Sequence, residues 1–210
     1  VIESGGATVQ TNITMNILDF NDNSPVFTEL GSPVTQYTVT VSENVAVGHT
    51  VETVTATDLD SGLNGKIVFS LSGTGSSDFT INSASGLITT AKALDYETKN
   101  SYSLTVTAKD QGSPARSTTC LLSITITNYN DNPPVFTPKE ITAGLIENRA
   151  IGTLVTLVYA SDSDPGSNLT ILFDPTSSHN DKFGVAQQSV GSALANVVTK
   201  VVFDREVMDT

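Results

Sequence analysis

Four short motifs occur twice in this chain, in the same order and at nearly the same spacing, and no other feature restricts the fold as much. Asp19-Phe-Asn21-Asp22-Asn23-Ser-Pro25-Val-Phe27 returns as Asn128-Tyr-Asn130-Asp131-Asn132-Pro-Pro134-Val-Phe136, 109 residues on. Glu43-Asn44-Val-Ala46-Val-Gly48 returns as Glu147-Asn148-Arg-Ala150-Ile-Gly152 at an offset of 104, and so does Asp58-Leu-Asp60-Ser-Gly62-Leu-Asn64 as Asp162-Ser-Asp164-Pro-Gly166-Ser-Asn168. Leu94-Asp95-Tyr-Glu97 returns as Phe203-Asp204-Arg-Glu206, again 109 residues later. A period near 107 residues is too long for a solenoid unit and matches a small domain. The repeating unit is therefore a whole domain.

Between these motifs the chain alternates apolar with polar residues. Tyr37-Val39-Val41, Ile67-Phe69-Leu71, Tyr102-Leu104-Val106-Ala108 and Leu169-Ile171-Phe173 each place one set of side chains on a buried face and the other in water. Gly, Pro, Asn and Asp clusters punctuate the runs, as turns between strands require. No segment sustains a helical stripe. The expectation is an all-β sandwich, with each of these four runs a strand.

Composition narrows the chemistry. Lys and Arg total 10 against 22 Asp and Glu, a net charge of −12, which argues against nucleic acid as a partner. There is no apolar run of about 18 residues that would span a membrane. The chain opens at Val1 with no signal-like segment, so it reads as an internal stretch of something longer. Cys120 is the sole cysteine, which excludes an internal disulfide and a multi-cysteine zinc site. It lies in Cys120-Leu-Leu122-Ser-Ile124-Thr-Ile126, where every second residue is apolar, so it is expected to face the core. A catalytic thiol would need a positioned His, and neither His49 nor His179 sits in a recognisable motif.

Every repeated motif carries Asp, Asn or Glu, the oxygen donors that calcium takes six to eight at a time. An EF-hand does not account for them. Counting from Asp58, its sixth position needs Gly and holds Leu63, and its twelfth needs Glu and holds Phe69. Counting from Asp162, the same positions hold Ser167 and Phe173. Neither loop can enclose an ion alone, so the ligands must converge from several motifs.

The ordered set resembles the cadherin family. Its repeats carry an acidic residue near the first strand, an Asp-x-Asp loop, an acidic turn, an Ala-x-Asp element and an Asp-x-Asn-Asp-Asn linker. This chain shows Glu43, Asp58 with Asp60, Asp95-Tyr-Glu97, Ala108-Lys-Asp110 and Asn128-Tyr-Asn130-Asp131-Asn132 in that order. The resemblance covers essentially the whole chain. It implies tandem seven-stranded Greek-key β-sandwich repeats with calcium bound at the linkers. Residues 1–23 are then the C-terminal strand or two and linker of a preceding repeat, 24–132 a complete repeat, and 133–210 the N-terminal part of the next. The apolar face of the first piece (Val9, Ile13, Met15, Ile17) would need partners from outside this chain.

Carried over residue by residue, the resemblance implies two ligand sets. At the second linker, Glu43, Asp95, Glu97 and Asp131 would hold ions nearer the complete repeat. Asn130, Asn132, Asp162, Asp164 and the Asn168 carbonyl would hold the ion nearer the next one. At the first linker, Asn21, Asn23, Asp58, Asp60, Asn64 and Asp110 supply the corresponding site, with Asp19 and Asp22 beside it. Asn128 stands where the family, and Asp19 in this chain, has Asp. The loss of that charge is expected to weaken one ion at the second linker.

Two carboxylates ~4 Å apart repel by ~4 kcal/mol at an effective dielectric of ~20. Without calcium such a linker should flex; with it, the acids become bridges. The resemblance thus implies a calcium-dependent adhesion segment or rigid spacer outside the cell, in the ectodomain of a membrane-anchored protein. Its partners would be other cadherin molecules, with no nucleic acid and no small-molecule substrate. Trp is absent and the stretch is not N-terminal, so a strand-swapping adhesive mode is not expected. Asn12-Ile-Thr14 and Asn168-Leu-Thr170 fit the glycan acceptor pattern of a secreted protein. Two other readings stand beside this one. A carbohydrate-binding accessory module would want exposed aromatic platforms, which are scarce here. A glycosidase would need paired carboxylates in a cleft, whereas these acids follow a linker order. The expected protein is not an enzyme.

Overall fold

The structure, a computed structural model, describes residues 2–4, 7–9, 11–187 and 193–208. It divides into two compact units. The first comprises residues 1–95 and 99–127; the second comprises 128–210 and takes in residues 96–98.

In the first unit, a hairpin of β1 (Ile2–Ser4) and β2 (Ala7–Val9) precedes a sandwich. The sandwich opens with β3 (Val26–Glu29), β4 (Ser32–Pro33), β5 (Gln36–Ser42), β6 (Thr50–Thr53) and β7 (Thr55–Thr57). It continues with β8 (Val68–Ser72), β9 (Phe79–Ile81), β10 (Leu87–Thr90), β11 (Ser101–Lys109) and β12 (Ser117–Thr127). One layer is a four-stranded sheet in the order β5-β12-β11-β8. The other is built from β6-β10-β9 and β4-β3-β7. Residues 50–57 act as one strand interrupted at Val54, whose N–H leaves the ladder and donates to the Gly86 carbonyl at 3.1 Å. This is the expected all-β Greek-key sandwich.

The long strands form where the alternation is strictest. In register, Tyr102 faces Ile124, Leu104 faces Leu122 and Val106 faces Cys120, all on the buried side of the sheet. Cys120 faces the core as expected, and burial pushes its thiol pKa up. Each large apolar side chain so covered contributes about 1.5–3 kcal/mol. Tyr37 ties the two layers together. Its ring packs edge-on against Phe27 at 6.4 Å, and its hydroxyl donates to the Thr28 carbonyl at 2.8 Å and accepts from the Thr55 N–H at 3.2 Å.

The second unit holds β13 (Val135–Phe136), β14 (Leu154–Ser161), β15 (Phe183–Gln187) and β16 (Leu194–Thr199) in the order β13-β14-β16-β15, followed by α1 (Arg205–Met208). Ala160, Ile171 and Ala195 form its buried centre, packed by Val158, Leu169 and Val185.

Two expectations about strands fail. Leu169, Ile171 and Phe173 keep their alternating burial, but residues 170–173 join no ladder. Their counterpart β8 pairs with β11, and by the repeat offset the equivalent partner would begin at residue 210. Residues 11–25 are likewise strandless, with Ile13, Met15 and Ile17 more than four-fifths exposed. By the same offset residues 11–18 correspond to residues 120–127 of β12, which is flanked on both sides by β5 and β11. Alternation supplies a face, but a strand also needs an edge to bond to. The side chain of Val9 lies outside the described ones.

Candidate metal centre

The first linker, residues 19–25, runs into β3 and brings its polar side chains against the loops after β7 and β11. Asn21 is 6% exposed; its Nδ2 donates to Asp110 Oδ2 at 3.2 Å and to the Pro114 carbonyl at 2.8 Å. Arg116 Nε donates to the Asn21 carbonyl at 3.1 Å, pinning the linker backbone. Asp110 is only 1% exposed, so its charge needs compensation. The Gly112 and Arg116 N–H groups supply it, each at 2.9 Å, alongside Asn21. Burial pushes the Asp110 carboxyl up, but these three donors and the Arg116 charge outweigh it and hold it below the usual range.

The Asp-x-Asp loop meets the same linker. Asn23 donates from its side-chain amide and, at 3.0 Å, from its backbone N–H to the two oxygens of Asp60. The side-chain bond is the larger cause of a lowered Asp60 pKa. Asp58 Oδ1 turns the loop by accepting the Asp60 N–H at 3.0 Å. Asp19 Oδ2 accepts from Asn64 Nδ2 at 2.8 Å and from the Ser61 N–H at 3.2 Å, and Asp22 Oδ1 accepts from Asn23 Nδ2 at 2.9 Å. The first-linker residues of the predicted set are thus gathered around one set of loops.

Two observations test whether a hard cation fits. Asn21 Oδ1 and Asp58 Oδ2 are buried and have no hydrogen-bond partner among the described residues. Buried oxygens are seldom left so; the other side-chain atom of each residue is already engaged, Asn21 Nδ2 as a donor to Asp110 and Pro114 and Asp58 Oδ1 as the acceptor of the Asp60 N–H. Gly112 leaves a cradle beside them, since a Cβ there would lie 2.2 Å from Asn21 Nδ2 and 2.6 Å from Asn64 Oδ1. An oxygen-only donor set, anionic and stiffened by backbone donors, fits calcium rather than a softer metal.

In the second unit the pattern recurs in part. The Asn132 N–H donates to Asp164 Oδ2 at 2.9 Å, and its amide reaches Asp164 Oδ1 at 3.4 Å and Asp131 Oδ1 at 2.9 Å. Asp162 Oδ1 accepts the Asp164 N–H at 2.9 Å, as Asp58 does for Asp60. Carboxylate oxygens of Glu97, Asp131 and Asp164, all in this unit, lie within 4.8 Å of one another. Asn128 is half-buried beside them. Asn130 is exposed where its counterpart Asn21 is buried, because the equivalent of Asp110 would fall at residue 219. Asn168 is exposed, and so is Asn12.

Glu43 is 5% exposed at the end of β5, with a carboxylate oxygen within 4.8 Å of one of Asp95 in the same unit. A comparable group, Glu147 with Asp204 and Glu206, gathers within 4.8 Å in the second unit and was not in the predicted set. The Arg205 N–H donates to Glu147 Oε2 at 3.0 Å. The offsets of 104 and 109 from Glu43, Asp95 and Glu97 already pointed to it. Arg116 and Gly112 carried no such signal, since their roles depend on how the loop after β11 folds back.

Comparison with known proteins agrees with this architecture. The family profile described as Cadherin domain matches residues 37–127. The chain is 43% identical over 170 residues to human Protocadherin Fat 4, covering 80% of this chain and 3% of that protein. It is 39% identical over 184 residues to mouse Cadherin EGF LAG seven-pass G-type receptor 2, covering 87% of this chain and 6% of the relative. The crystal structure of mouse Cadherin-23 EC22-24 superposes with a TM-score of 0.76 at 33% identity, over 90% of this chain and 57% of that one. The chain therefore spans a small fraction of the curated relatives it matches. With identity at this level reaching across both compact units, the chain belongs to the cadherin family.

Proposed function

We propose that this chain is a segment of a long, non-strand-swapping cadherin ectodomain, in which calcium at two linkers stiffens consecutive repeats into a spacer for cell adhesion. The observation that carries the reading is the pair of buried, partnerless oxygens on Asn21 and Asp58 at the meeting point of the linker and its two acidic loops. At the first linker, Asn21, Asn23, Asp58, Asp60, Asn64 and Asp110 hold the ion, with Asp19 and Asp22 beside them. At the second, Glu43, Asp95, Glu97, Asn128, Asn130, Asp131, Asn132, Asp162, Asp164 and Asn168 do so. The repeats are residues 24–132 in full and 1–23 and 133–210 in part.

Calcium supplies positive charge that removes the mutual repulsion of these acids. The chain's own part is to pre-arrange the oxygens: Arg116 fixes the Asn21 backbone, Asn23 and Asn132 orient Asp60 and Asp164, and Asp58 and Asp162 shape the loops. Extracellular modules of this kind bind calcium at about 10⁻⁴–10⁻³ M, so the sites fill outside the cell and empty at cytosolic levels. The parent protein is membrane-anchored, its partners are other cadherin molecules, and it performs no catalysis.

Thermal melts of the chain with calcium and with chelator test the reading. A site binding at ~0.1 mM gains about 1.4 kcal/mol at ~1 mM calcium. Asp162→Ala should reduce the increment while the first unit stays folded. Identical midpoints in calcium and chelator would end the proposal.

A further inference from the structure

We propose that Asn128 is a built-in cation substitute, whose amide holds the acidic cluster of the second unit closed without calcium and so lowers its demand for the ion. The inference rests on the calcium reading above and concerns how strongly one site depends on calcium.

The geometry is specific to this residue. With its amide nitrogen toward the acids, the orientation that satisfies both partners, Asn128 donates to Glu97 Oε1 at 2.8 Å and to Asp164 Oδ1 at 3.1 Å. One neutral NH₂ group thus spans two of the three carboxylates that approach within 4.8 Å. Asp164 is 4% exposed, so bulk solvent scarcely reaches it. Asn132 donates to Asp164 and Asp131 from its own side. Donors from two asparagines then link all three acids.

The first linker shows what the position does with a charge. Asp19, its counterpart at an offset of 109, cannot donate; it accepts from Asn64 and Ser61 instead. An Asp at 128 would add a fourth carboxylate to the cluster and remove its bridge. An Asn at 128 has two faces. Its NH₂ binds the acids when no ion is present, and its carbonyl oxygen can turn to an ion that enters, at the cost of the two bridging bonds. Calcium therefore competes with a partner the chain already owns, and it gains one ligand charge fewer.

The test compares the whole 210-residue chain with Asn128→Asp, by calorimetric melting in chelator and in saturating calcium, and by calcium titration followed at the Asn132 and Asp164 amides by NMR. In chelator, Asn128→Asp should lower the melting midpoint of the second unit by about 4 °C or more. In saturating calcium it should match or exceed the wild type, and its titration should tighten by about tenfold. Equal midpoints in chelator in a calcium-responsive chain would overturn the substitute role alone. A loss that saturating calcium does not restore would also overturn it, by making Asn128 a simple structural contact. If neither form responded to calcium anywhere, the calcium reading itself would fall, and this proposal with it.

Discussion

Asn23 grips both carboxylate oxygens of Asp60, one through its backbone N–H at 3.0 Å and one through its side-chain amide. The grip is repeated by Asn132 on Asp164, at 2.9 Å and 3.4 Å. An ionised carboxylate offers about four lone-pair sites, so two remain for a cation after both bonds are made. The asparagine thus orients the acid without saturating it. Asn23→Ala should leave the first unit folded but weaken its calcium binding by about tenfold, measured by titration calorimetry. Unchanged affinity would mean that Asp60 is oriented by something else.

Acid should act on the same groups. Asp60 is lowered chiefly by the Asn23 side chain; Asp110 is lowered because its backbone donors outweigh burial. A depressed folded pKa contributes stability that is present above the ordinary value of 3.8 and lost as pH falls through the folded value. In chelator, unfolding of the first unit should therefore set in below about pH 4. Asp110→Asn turns an amide toward three donors, so it should destabilise at neutral pH and flatten that acid limb.

Two glycines separate folding from binding. At Gly86, φ is +73° and a Cβ would lie 2.1 Å from the Val54 carbonyl oxygen, which is backbone and cannot yield. Gly86→Ala should cost about 2–5 kcal/mol in denaturant unfolding, from the left-handed conformation and the overlap combined. At Gly112 the atoms nearest the added Cβ belong to the side chains of Asn21 and Asn64. Gly112→Ala should keep the fold and lose calcium affinity at the first site. A variant that lost stability in calcium-free buffer as badly as Gly86→Ala would contradict this.

Much of this was legible in the residues. The strict alternation from Tyr102 to Ala108 and from Cys120 to Ile126 gave both faces of β11 and β12, and the motif offsets located the acidic loops. Other features depended on what lies across from a segment. Residues 169–173 carry the same pattern as β8, yet 170–173 form no ladder, since pattern specifies a face and not a neighbour. The break at Val54 is set by the Gly86 carbonyl, some thirty residues away. The buried charge on Asp110 is made tolerable by backbone N–H groups, which no side-chain motif announces.

Alkali should find a different weak point. Burial, with Asp78 next to the hydroxyl, pushes the Tyr102 pKa from 10.0 up to about 12. Its hydroxyl donates to Asp78 Oδ2 at 3.2 Å, and Lys92 holds the other oxygen at 2.7 Å. A raised folded pKa gives stability that is complete below the unfolded value and lost as pH rises through the folded one. The first unit should hold to about pH 10 and weaken towards 12, followed by circular dichroism. Tyr102→Phe should remove that alkaline component, and an unchanged limb would show that Tyr102 does not control it.

The parallel pairing of β5 with β12 has a consequence for a chain under tension. Seven register pairs, from Gln36 with Leu121 to Ser42 with Thr127, lie side by side in the same direction. A pull toward the amino end of β5 and the carboxyl end of β12 slides the strands past one another. Every bond along the pair is then sheared at once, whereas a hairpin pulled at its open end unzips one bond at a time. The evenly spaced bonds of a parallel ladder share such a load. The unit should therefore resist stretching between its ends far better than its modest size suggests, and yield abruptly when that one pairing fails.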